Sequence, residues 1–97
     1  MADQQQKPGS RVNIKIDDDE IKGRYSNLVR VTHTREEFVL DFMNIVPPHG
    51  AVISRIITSP GHMKRLVQAL GGNLKLYEEK HGAIQESSEP PELGQIN

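Results

Sequence analysis

From Phe38 to Thr58 the chain carries two runs rich in β-branched and aromatic residues, Phe38 to Val46 and Ala51 to Thr58, on either side of Pro47-Pro48-His49-Gly50. Such runs flanking a Pro/Gly cluster predict a β-hairpin, and the rest of the sequence reads as arranged around it. Upstream, Val12-Asn13-Ile14-Lys15-Ile16 alternates apolar and polar, the period of a short edge strand. Asp17 to Glu20 then forms an acidic loop, and Gly23 lets the chain turn into a further strand over 24–32. Downstream, Ser59-Pro60 predicts the N-cap and first position of a helix. Met63, Leu66, Val67, Leu70, Leu74, Tyr77 and His81 recur at spacings of three and four, and Gly82 is placed to stop the helix. Gly71-Gly72 interrupts the stripe, at about 1 kcal/mol per Gly relative to Ala.

The expected fold is α+β: a four-stranded antiparallel β-meander followed by one long C-terminal helix, β-β-β-β-α. Residues 1–11 and the acidic, Pro-rich residues 86–97 have too little apolar content to offset the entropy of ordering them. The expectation is a disordered N-terminal segment over 1–11, one domain over 12–85 and a disordered acidic tail over 86–97.

With four-residue turns, Val31 lies opposite Phe38 and Val46 opposite Ala51. One face then collects Val29, Val31, Phe38, Leu40, Phe42, Ile53 and Ile57. The other collects Leu28, Val39, Met43, Ile45, Val52 and Ile56, among Arg30, Asp41 and Ser54. A sheet with one wet face shows a clean polar side, so both faces require a cover. Leu66 and Leu70 of the helix are expected on Phe38, Leu40 and Phe42. The second strip, Leu28 to Ile56, has no helix left to cover it and is the expected oligomer or partner interface, giving a symmetric dimer or dimer of dimers with Arg30 and Asp41 setting register.

Composition sharpens this expectation. Of 97 residues 35% are hydrophobic and 4% aromatic, with no Trp and no Cys, so neither a disulfide nor a thiolate-held metal can brace a small core. A net charge of -1 weighs against a protein that coats nucleic acid, which needs a basic surplus. The start, MADQQQKPGS, has no apolar leader region and no run is long enough to cross a bilayer, from which a cytoplasmic protein without a membrane partner is expected.

Few residues suggest chemistry. His33, His49, His62 and His81 have no ligand spacing among them, and the run Asp17 to Glu20 lacks the alternation and closing Glu of a calcium loop, so no metal or other cofactor is expected. Ser26, Ser54, His33 and Asp41 form no recognisable triad motif. Tyr25-Ser26-Asn27 sets polar groups within a strand, where Asn27 can serve a bulge or a neighbouring backbone. The helix start, Ser59 to Arg65, could hold an anion, although Ser-Pro is an ordinary helix start and Lys64-Arg65 an ordinary solvated pair.

GRYSNLVRVTHTREEFVLDF, SRIITSPGHMKRLVQAL and NLKLYEEKHG together resemble a family of small bacterial and archaeal proteins known as a domain of unknown function (DUF 3467), over roughly Val12 to Ile84. That resemblance implies no activity. In outline, a four-stranded meander followed by a long helix is similar to the SecB export chaperone, whose subunits associate and bind extended unfolded chains, an analogy of fold only. The expected function is therefore a non-enzymatic, homo-oligomeric protein-binding or adaptor module, with a SecB-like chaperone as one form of it. One rival is a transcription-associated or nucleic-acid-binding accessory protein using Arg24, Arg30, Arg55, Lys64 and Arg65. The other is a small-ligand or anion-binding protein using the helix N-terminus.

Overall fold

The computed structural model describes residues 11–97, so the segment expected to be disordered lies, but for Arg11, outside the described residues. Five elements follow in order: α1 (Asp18–Ile21), β1 (Leu28–His33), β2 (Phe38–Val46), β3 (His49–Thr58) and α2 (Pro60–His81). The strands form an antiparallel sheet in the order β1-β2-β3.

The class is α+β, but the expected first strand is not formed. Val12, Ile14 and Ile16 are 76, 89 and 62% exposed and pair with neither free sheet edge. Their alternation is genuine, yet a strand needs a partner, and fixing each backbone residue costs about 1–2 kcal/mol against three half-covered side chains at an edge. The acidic run, expected as a loop, makes the single turn of α1, with Asp18, Asp19 and Glu20 at its N-terminal end, where the helix dipole favours them.

Two turns set the register. The loop before β2 is Thr34 to Glu37, held by the Thr34 hydroxyl, which accepts from the Glu36 and Glu37 N–H groups at 3.2 and 3.3 Å, while the Thr34 N–H donates to the Glu37 carbonyl at 2.9 Å. Val31 therefore faces Leu40 rather than Phe38. In the second hairpin Pro47 and Pro48, joined by a cis peptide bond, are the whole loop, and Val46 faces His49 rather than Ala51.

A further shift comes from a bulge. Phe42 pairs with Ser54 and Met43 with Val52, leaving Ile53 as the extra residue of β3. Beyond it the β3 residues exchange faces: Ile56 pairs with Leu40 and Ile57 with Val39, the reverse of the expected assignment. The first face thus carries Val29, Val31, Phe38, Leu40, Phe42 and Ile56, and the second Leu28, Val39, Met43, Ile45, Val52 and Ile57, with Arg30, Asp41 and Arg55 across its middle.

Ser26 and Asn27 extend the sheet beyond β1. The Asn27 amide donates to the Ile45 carbonyl at 2.9 Å and its oxygen accepts from the Ile45 N–H at 2.8 Å, so one side chain takes the place of a strand residue. Ser26 Oγ lies 2.9 and 3.0 Å from the carbonyls of Met43 and Leu28. The polar residues that conflict with strand propensity are therefore ladder partners.

α2 is continuous through Gly71-Gly72. Ser59 Oγ accepts from the His62 N–H at 3.1 Å, Pro60 occupies the first turn, and Gly82 closes the helix at φ 94°, donating its N–H to the Glu78 carbonyl at 2.9 Å. The helix does not lie along the sheet. Its opening turns share an open pocket with Phe38 through Met63 and Val67 and no residue of α2 is fully buried; of the two leucines expected on Phe38, Leu40 and Phe42, Leu66 is half-buried and Leu70 is 62% exposed. Among the described residues only Leu40, Met43 and Asp41 are buried. The radius of gyration is 17.3 Å, against about 12 Å for a compact chain of this length.

Asn27→Ala is expected to cost about 1–2 kcal/mol, because both Ile45 backbone groups lose their partner. Asn27→Asp keeps only the acceptor and should fall between Ala and the parent in urea midpoint. Equal midpoints for all three chains would show that the Asn27 bonds contribute nothing.

Candidate functional site

Asp41 sits at the centre of β2 on the second sheet face, with Arg30 of β1 and Arg55 of β3 as its direct cross-strand neighbours. Arg55 grips it with a fork: Nε donates to Oδ1 at 2.6 Å and Nη2 to Oδ2 at 3.1 Å. The Asp41 side chain is 3% exposed and that of Arg55 54%. The hydrogen bonds from Arg55 hold the Asp41 carboxyl below its ordinary range, against the opposing effect of burial, with the charges of Arg55 and Arg30 adding to the lowering. Reciprocally, the hydrogen bond to Asp41 raises the Arg55 guanidinium.

Around this charged row lie five of the six residues expected at an oligomer or partner interface: Leu28, Val39, Met43, Ile45 and Val52. Ile56, the sixth, is on the opposite face because of the bulge at Ile53. The sequence paired Asp41 with Arg30. Arg55 as its main partner went unseen because only the bulge brings it directly opposite.

The C-terminal segment lies over this face. Residues 83–97 hold no helix or strand, yet Arg30 Nη2 donates to the Gly94 carbonyl at 2.8 Å and Leu93 is half-buried. A cleft of ≈ 680 Å³ runs between the segment and the sheet, bounded by Met43, Ile45 and Val52 on one side and Leu93 and Ile96 on the other. A cleft that sets apolar side chains among polar ones, with a guanidinium that donates to a main-chain carbonyl, has the features that suit a polypeptide.

The basic residues expected for nucleic acid fall in three places, Arg30 and Arg55 together on the second sheet face, Lys64 and Arg65 on α2 and Arg24 before β1. Arg24, before β1, pairs with Glu20 at 3.1 Å, Arg55 is engaged by Asp41, and Arg30 holds Gly94. Lys64 and Arg65 lie on α2, where Arg65 Nη2 is 3.2 Å from His62 Nδ1. At the helix start the Ser59 oxygen already accepts the His62 N–H. Among the described residues no three His, Asp or Glu side chains gather where a cation could bind, and no helix is long and apolar enough to cross a membrane.

The model of a protein family, described as protein of unknown function (DUF3467), matches residues 1–86. The chain belongs to the DUF3467 family. No curated protein and no solved structure matches it, so the likeness to SecB has no structural neighbour behind it. For this DUF3467 chain the functional argument therefore rests on its own surfaces.

The depressed carboxyl of Asp41 stabilises the fold above the usual carboxylate range, near pH 4, and that contribution is lost as the pH falls through the lowered value. Acidification below about pH 4 should therefore lower the urea midpoint of the parent more steeply than that of Asp41→Asn. Parallel profiles for the two chains would show that the pair does not contribute.

Proposed function

We propose that this DUF3467 chain is a non-enzymatic, homo-oligomeric protein-binding or adaptor module acting in the cytoplasm. The observation that carries the proposal is the burial deficit: one copy buries Leu40 and Met43 as its large apolar side chains, while apolar residues stay open on both sheet faces and along α2. Each such side chain contributes about 1.5–3 kcal/mol when covered, so a chain of this size gains its core by association. The cleft under residues 91–97 supports the protein-binding half of the reading. There the chain's own C-terminal segment offers Leu93 and Ile96 to the sheet and a carbonyl to Arg30, as a partner chain would. This is the respect in which a SecB-like holding role fits.

Light scattering at micromolar concentration should report a dimer or a dimer of dimers, and a monomer would refute the oligomeric reading. For the binding half, the full chain should slow the aggregation of a chemically unfolded protein, and removing residues 91–97 should strengthen that effect by opening the cleft. No protection by either form would refute it.

A further inference from the structure

Among the described residues, much of the first sheet face and of the outer stripe of α2 is left open, and each has the form the other needs. On the sheet, Val29, Val31 and Ile56 are 44, 44 and 49% exposed around the buried Leu40. On the helix, Val67, Leu70, Leu74 and Tyr77 are 57, 62, 50 and 50% exposed, at the spacings of one stripe. From Met63 to Tyr77 the stripe runs about 21 Å, within the roughly 30 Å of the nine-residue β2.

Covering this face within one chain would require the helix to reverse over its own sheet immediately after β3. One residue, Ser59, separates Thr58 from Pro60, and its side chain is committed to the helix cap. Met63 and Val67 share an open pocket with Phe38, and from Val67 onward the apolar stripe of the helix stays exposed. We infer that α2 is exchanged: the helix of one copy lies on the Val29–Val31–Ile56 face of a second copy, reciprocally, in a two-fold dimer. This rests on the homo-oligomeric reading above and assigns its interface.

Two observations favour a second copy over an unrelated partner. The chain carries both halves of the contact, so two-fold pairing satisfies both stripes and both faces at once. The area also suffices: the seven side chains leave on the order of 600 Å² open per copy, and mutual cover removes about 1,200 Å², the lower range of stable specific interfaces. Because Leu28, Met43 and Val52 lie on the opposite face, the exchange leaves the cleft beside Arg30 and residues 91–97 accessible.

The chain has no cysteine, so introduced thiols report without background. Ile56→Cys and Leu70→Cys chains, one carrying a size tag, are mixed and treated with a short bismaleimide; the Ile56→Cys/Leu70→Cys double variant is treated separately. Exchange predicts a covalent tagged–untagged heterodimer in the mixture and a covalent dimer from the double variant. An internally cross-linked monomer from the double variant would show cis packing and overturn the exchange. So would Ile56–Ile56 products dominating the mixture, which would mean that sheet meets sheet. Light scattering on the unmodified chain separates the two failures: a dimer without the Ile56–Leu70 cross-link overturns exchange alone, and a monomer overturns the oligomeric reading as well. Normal circular dichroism of each single variant identifies loss of cross-linking as a loss of contact and not of folding.

Discussion

One residue between β3 and α2 governs much of what this chain can do by itself. Ser59 ends the sheet, caps the helix and leaves no slack, so 22 residues of amphipathic helix depart from the sheet whose apolar face they would otherwise cover. Each structural decision there is locally sound: a side-chain oxygen for an orphan N–H, and a proline where no donor is needed. Their combined effect is non-local. The sheet keeps an open face and the helix keeps an open stripe, the two surfaces that the proposed exchange pairs.

The two sheet faces differ in character. Aliphatic and aromatic residues dominate the first, the face that the proposed exchange covers. Across the second runs the Arg30–Asp41–Arg55 row, in which a buried carboxylate is held by a fork from one side while the other guanidinium reaches a backbone carbonyl. Only the Asp41 side chain of this pair is buried, so removing Arg55 would leave a buried carboxylate without its fork, which costs more than the intact pair contributes. The row's apolar borders and the C-terminal segment lying along them are the features on which the proposed protein-binding role rests.

Legibility in the sequence followed the reach of each signal. The central hairpin, the helix with its cap and stop, and the stripe along it were legible because period and capping are local properties of Phe38 to Thr58 and Ser59 to Gly82. The fourth strand was not, because the alternation of Val12 to Ile16 describes what a strand would look like and not whether an edge receives it. The exchange of Ile56 and Ile57 was hidden by the bulge at Ile53, since no residue type there announces an extra position. Arg55 as the partner of Asp41 was hidden by the same shift. At Ser26 and Asn27 the polar residues in strand context were a usable signal, and their hydrogen bonds to Met43 and Ile45 show what they signalled.

The proposed association has a direct thermodynamic consequence, because a fold completed by a second copy gains stability with concentration by mass action. Thermal unfolding followed by the helical signal, over a hundredfold range of chain concentration, measures this without any substitution. A midpoint that climbs steadily with concentration is the expected result. A midpoint independent of concentration, together with a monomeric mass over the same range, would contradict it.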